Sequence, residues 1–198
     1  MLRVKPRNTL LAAVALAFCG AAAGNDPPRL VSLAPFLTEL IYAAGAGEHL
    51  VGVDSYSDYP ARAKNLPDLG DAFHVDLEAL LEQSPEYVLA WASGTPPRAR
   101  KRLRRLGVEV AVFEPAKLQG IAAAIRRIGE LAGTSAAAER AAKAFEAKLN
   151  NLRARHKGTA PIRYFYQVSA EPLYTLNGQH LASQGLSICG GVNVFAEL

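Results

Sequence analysis

The chain has 198 residues, 22 Lys and Arg against 18 Asp and Glu, a formal charge of +4, one tryptophan and two cysteines. It opens with Arg3, Lys5 and Arg7, an uncharged run Leu10–Phe18 and the small residues "CGAAAGN", the pattern of a secretory signal cleaved after Ala23 and too weakly apolar for a membrane anchor. Without those three bases the balance is 19 to 18, so no nucleic-acid partner is implied.

Cys19 raises lipid attachment to a mature N-terminal cysteine, but the bulky Phe18 before it suits that processing poorly. Beyond the leader, "RLVSLA" (29–34), "LVGVD" (50–54), "YVLAWA" (87–92) and "VEVAVF" (108–113) are short apolar runs suited to strands covered on both faces. Between them "PFLTELIYAAGAG", "DLEALLEQS" and "PRARKRLRRLG" carry helical spacing. Pro35 and Asp76 are start signals, and Gly107 is a stop. In the basic run, Ala99, Leu103 and Leu106 fall on one face, so its arginines are read as a solvated helix surface. Strands alternating with helices predict parallel pairing, hence an α/β lobe over 29–133.

"LQGIAAAIRRIGELAG" places Ile121, Ile125, Ile128 and Leu131 on one face and ends at Gly133. Thr134 or Ser135 can then cap a helix from Ala136 to Lys157, with Glu139 four residues before Lys143. At 1.5 Å per residue it reaches roughly 33 Å, the width of a small lobe. The strand pattern resumes at "IRYFYQVS" (162–169). Asn177-Gly178 is a turn signal, and "LASQGLSICGG" reads as a helix ended by glycines. Residues 161–198 therefore look like the start of a second α/β lobe that these residues do not complete.

Taken together, "SYSDYP", "LEALLEQSPEYVLAW" and "ICGGVNVF" occur in an order and spacing that resembles the iron-siderophore and cobalamin class of ABC-transporter substrate-binding proteins, and within it the periplasmic cobalamin binders. The resemblance implies two Rossmann-like lobes joined by one long helix, here 134–157, with cobalamin or a related corrinoid held between them as transported ligand rather than cofactor. It implies ligand contacts from Tyr56, Trp91 and Tyr174. Where the cobalamin binders have a tryptophan before the "LE" helix, this chain has Ala72, with Phe73 beside it as a substitute. It further implies docking of Glu78 on an inner-membrane ABC permease, a monomer in the periplasm, and pairing of Cys189 with a cysteine beyond Leu198. Flat aromatics suit a broad, partly apolar corrin with amide arms.

Each residue also has a plain structural reading. Trp91 can be core, Tyr59 can brace its turn, Tyr174 can shield a hairpin, and Glu78 can be an ordinary first-turn acid favoured by the helix dipole. Haem or a ferric siderophore is the alternative ligand. Haem needs an axial donor such as His74, and anionic siderophores would favour arginines in the cleft. An exported hydrolase is the distant alternative. Ser32 ends a strand, but the sequence carries no HExxH, no paired CxxC and no G-x-S-x-G.

Overall fold

The computed structural model describes residues 26–198; the leader, Cys19 and the Ala23 cleavage point lie outside them. Strand β1 (Leu30–Ser32) leads into helix α1 (Pro35–Ala43), then β2 (Leu50–Gly52), α2 (Leu77–Glu82), β3 (Tyr87–Trp91), α3 (Pro97–Arg105), β4 (Glu109–Phe113) and α4 (Leu118–Ala132). The four strands form one parallel sheet in the order β2-β1-β3-β4. The fold is α/β, as the alternation predicts.

Period-two side-chain direction sends each strand to both faces. Leu30, Leu89, Ala111 and Phe113 pack with α1, α4 and the helix after it. Val31, Val88, Ala90 and Val110 pack with Leu80 of α2 and Leu103 of α3. This two-sided burial explains why the strands read as continuous apolar runs. One expectation changes. Leu106 is 51% exposed, because α3 ends at Arg105 and the chain turns at Gly107, whose φ of 84° is left-handed.

Helix α5 (Ser135–His156) follows α4 through Gly133, another left-handed C-cap. Thr134 is its N-cap residue but makes no side-chain capping bond; its hydroxyl is buried without a partner. The helix is held instead along its flank. Arg126 of α4 donates from Nε to Glu139 at 2.6 Å and from Nη1 to Glu146 at 2.7 Å, and Lys143 lies 3.3 Å from Glu139. These bonds hold both carboxyls below the usual glutamate range.

After α5 come β5 (Ile162–Tyr164), β6 (Gln167–Ser169), β7 (Tyr174–Thr175), α6 (Leu181–Ile188) and β8 (Gly191–Asn193). β5 pairs in parallel with β8, and β6 pairs antiparallel with β7. The single expected strand 162–169 is thus two. The β6–β7 hairpin turn is Ala170–Leu173, and the turn signalled by Asn177-Gly178 falls at Gly178–Gln179, where it leads into α6. There Asn177 Nδ2 donates to Leu198 O and its Oδ1 accepts from Gln179 N, a local use that an Asn-Gly pair serves as well as a hairpin. Gln184 of α6 ties this region to the β4–α4 loop: its Nε2 donates to Ala116 O at 2.9 Å and its Oε1 accepts from Leu118 N at 3.2 Å.

Candidate functional site

In an open parallel sheet, loops leaving neighbouring strands in opposite directions open a crevice at their carboxyl ends. With the order β2-β1-β3-β4, that reversal falls between β1 and β3. Phe36, four residues past β1, and Trp91, the last residue of β3, meet there edge to face, ring centroids 5.9 Å apart and planes at 85°.

Trp91 is fixed on several sides. Its N–H donates to Thr95 Oγ1 at 3.0 Å, and its carbonyl accepts from Thr95 N at 2.9 Å. The indole Nε1 donates to Glu114 at 3.2 Å, and the same carboxylate accepts from Ser93 N at 2.9 Å and from Ser93 Oγ. The ring remains 37% exposed. It borders a cavity of about 760 Å³ whose apolar wall is Phe36, Leu40, Ile121, Ile125 and Phe145 and whose polar rim is Ser93, Glu39, Glu114, Gln179 and His180. Among the described residues no lysine or arginine lines it.

Gly94 makes the ring position possible. A Cβ there would overlap the Trp91 ring at Cε3. Gly94→Ala is therefore expected to displace the indole while leaving the core intact. The check is a changed Trp91 emission maximum with an unfolding free energy within about 0.5 kcal/mol of wild type, the scale of surface substitutions.

Tyr56 sits at the neighbouring strand end on a loop that the fold buries from below. Asp54, Ser57, Thr38 and Ser32 are all buried and in hydrogen-bond contact in series: Asp54 with Ser57, Ser57 with Thr38 at 2.7 Å, Thr38 with Ser32 at 2.8 Å, and Ser32 with Ala34 O at 3.0 Å. Burial pushes the Asp54 carboxyl above the usual aspartate range, against the opposing bond from Ser57. Ser57 Oγ donates to the Asp54 carboxylate, so the single Thr38 hydrogen is shared between its contacts with Ser57 and Ser32; protonation of Asp54 would let it donate to Ser57 instead and satisfy every contact in the series. The second oxygen of Asp54 accepts from Tyr56 N at 3.3 Å.

Because the folded-state value is raised, this carboxyl favours the fold most below the ordinary aspartate range and progressively less as pH rises through the raised value. Asp54→Asn, whose amide reproduces the protonated pattern, is expected to match or exceed wild-type stability at pH 7. Its advantage should shrink toward pH 4. Parallel urea titrations at the two pH values check this, and a variant that loses stability at pH 7 would contradict it.

The sequence-derived residues do not all gather in one place. Trp91 lines the cavity; Tyr56 (69% exposed), Tyr174 on β7 (60%) and Phe73 do not. Phe73 projects from a turn in which Asp71 accepts from the N–H groups of Phe73 and His74, both at 2.8 Å. It lines a separate groove of about 1250 Å³ between α2 and α3, with His74, Glu78, Leu81, Arg98, Arg102 and Leu106. Glu78 is exposed in the first turn of α2, whose N-cap Asp76 accepts from Glu78 N and Ala79 N. Cys189 is exposed, with no disulfide partner among the described residues. Ser32 is fully buried and spent on the hydroxyl series, so it is no accessible nucleophile. Among the described residues no helix is long and apolar enough to cross a membrane, and no three His, Cys, Asp or Glu gather as a metal site. Phe36 and Glu114 escaped the sequence reading. Their only signal is position, each just past a strand's carboxyl end.

The family model described as "Periplasmic binding protein" matches residues 30–198. The chain belongs to the periplasmic binding protein family. Relatives of this periplasmic binding protein include the vitamin B12-binding protein of Vibrio cholerae serotype O1, 39% identical over 169 residues, covering 85% of this chain and 61% of that protein. The vitamin B12-binding protein of Yersinia pseudotuberculosis is 35% identical over 192 residues, covering 97% of this chain and 68% of that one. The chain thus spans about three fifths of the length of its Vibrio cholerae relative. Among solved structures, the periplasmic vitamin B12 binding protein BtuF of Vibrio cholerae superposes with TM-score 0.79 at 38% identity, covering 87% of this chain and 68% of that chain. The periplasmic heme-binding protein RhuT from Roseiflexus sp. RS-1 follows at TM-score 0.77 and 29% identity, covering 87% and 67%.

Proposed function

We propose that this periplasmic binding protein captures cobalamin or a related corrinoid and delivers it to an inner-membrane ABC transporter, without catalysis and as a monomer. Residues 29–133 are the first ligand-binding lobe, 134–157 the joining helix, and 161–198 belong to a second lobe. The observation that carries the ligand choice is the cavity wall: aromatic and aliphatic on one side, with the carboxylates of Glu39 and Glu114 and, among the described residues, no lysine or arginine. A corrin edge offers apolar surface and carboxamide N–H donors, which such a wall can meet. Haem propionates or an anionic ferric siderophore would face carboxylates unpaired. The names and identities of the vitamin B12-binding relatives support the same choice.

In this reading Trp91 and Phe36 form the central aromatic contact, and Tyr56, Tyr174 and Phe73 extend it when the ligand spans the lobes. Haem remains the second reading on one specific observation, His180 on the cavity rim. Its Nδ1 already accepts from Ala182 N at 3.1 Å, leaving Nε2 as the available donor atom. Titration of the purified protein with cyanocobalamin and with haemin decides between them. Saturable cyanocobalamin binding with weak haemin binding is expected; the reverse order would sink the corrinoid choice.

Glu78 is proposed as the permease contact of this lobe. Glu78→Arg is expected to leave ligand binding unchanged and to slow association with permease vesicles about tenfold at low salt, the usual behaviour of a rim charge. Equal association rates would assign Glu78 to helix stabilisation alone.

A further inference from the structure

Trp91 carries the proposed ligand contact, yet its indole would be free to swing about χ1 and χ2 if only Phe36 held it. The carboxylate of Glu114 removes that freedom. It accepts from the indole Nε1 at 3.2 Å, from Ser93 N at 2.9 Å and from Ser93 Oγ at 2.9 Å and 3.1 Å. One carboxylate therefore ties the end of β3 to the end of β4, across the register pair Trp91 and Phe113. Its bonds to Ser93 fix the carboxylate, and the fixed carboxylate fixes the ring. Phe36 then meets the ring edge to face, Gly94 lies against its Cε3 side, and the exposed part borders the cavity.

The charge has its own consequence. Glu114 and Glu39 are the charged side chains on the cavity wall. Arg100 of α3 is turned to Ala92 O at 3.1 Å, and Arg127 is turned to Val112 O at 2.9 Å over the Phe113 ring. The charge in direct contact with the indole N–H is the Glu114 carboxylate.

We propose that Glu114 is a positioning and specificity-determining residue: it locks the Trp91 indole in its ligand-ready orientation and makes the same rim repel anions. This deepens the reading of Trp91 as a ligand contact and rests on it. Positioning is separable from charge, because glutamine keeps an oxygen that can accept from the indole N–H whereas alanine keeps neither oxygen nor charge.

Trp91 is the single tryptophan of the chain, so its fluorescence reports on this place alone, and no ligand is needed. Steady-state anisotropy and quenching by neutral acrylamide and anionic iodide are measured on wild type, Glu114→Gln and Glu114→Ala. In Glu114→Ala, anisotropy should fall and acrylamide quenching should rise by about half, as a freed ring becomes accessible. In Glu114→Gln, acrylamide quenching should stay near wild type while iodide quenching rises about twofold, the size expected for removing one close charge in screened water. Unchanged anisotropy and acrylamide quenching in the alanine variant would overturn the positioning role. Unchanged iodide quenching in the glutamine variant would overturn the anion-repelling role. A failure of cyanocobalamin to bind would overturn the proposed function and leave these results standing. Circular dichroism of both variants excludes unfolding as the cause.

Discussion

Trp91→Ala is expected to weaken cyanocobalamin binding by roughly thirtyfold or more, the cost of about 2 kcal/mol that truncating a central aromatic anchor carries. Equilibrium dialysis measures it without the lost fluorophore. The ring is 37% exposed and ends its strand, so most of what the substitution removes is contact surface rather than core. Thermal stability should fall far less than affinity. Trp91→Phe, which keeps an aromatic face but loses the bond to Glu114, should fall between wild type and alanine. If Trp91→Ala binds as wild type does, the cleft lies elsewhere, and Tyr56 and Tyr174 become the residues to test.

That prediction depends on a ring whose identity the sequence shows and whose support it hides. Trp91 was legible because it closes an apolar run, and strand ends in parallel sheets open toward ligand clefts. Phe36 was hidden because in sequence it is simply the second residue of a helix after Pro35. Only the sheet order, which places β1 beside β3, brings it against Trp91. Glu114 was hidden for the same reason: twenty-three residues separate it from Trp91, and an acid after a strand has no local pattern that marks a partner across the sheet.

Elements were easier than contacts. Apolar runs and glycine stops are local, so β1 to β4 and α1 to α5 fall within a few residues of their expected ranges. The departures have physical causes. Leu106 keeps helical spacing with Ala99 and Leu103, but the helix stops before it, so periodicity overran the C-cap. "IRYFYQVS" alternates as one strand would, yet its two halves find different partners, β8 and β7, which no single-segment pattern can announce. Phe73 was placed by resemblance beside the cleft. Its turn, set by Asp71, has it line the α2–α3 groove with Glu78 rather than the Trp91 cavity.

The largest expected loss of stability follows from the sheet itself. Leu89 lies at the middle of β3, paired with Ser32 of β1 on one side and Ala111 of β4 on the other, and is completely buried. Its side chain fills the face shared with Leu30, Phe113 and the helices α1 and α4, whereas Val88 and Ala90 beside it serve the opposite face. Four hydrogen-bonded strands cannot move inward to fill a void at their centre, so Leu89→Ala should leave most of its cavity open. The cost is then about 3 kcal/mol, within the range for buried leucines, and the melting temperature should drop by roughly 6 to 12 °C. Val88→Ala, which removes less volume next door on the α2–α3 face, should cost about half as much. Urea unfolding of the two variants checks both numbers. The comparison also tests which side of the sheet bears the tighter core: equal losses, from a smaller deletion at Val88, would mean that the α2–α3 face, with its open groove beside Leu106, packs more tightly than the face that supports Phe36 and Trp91.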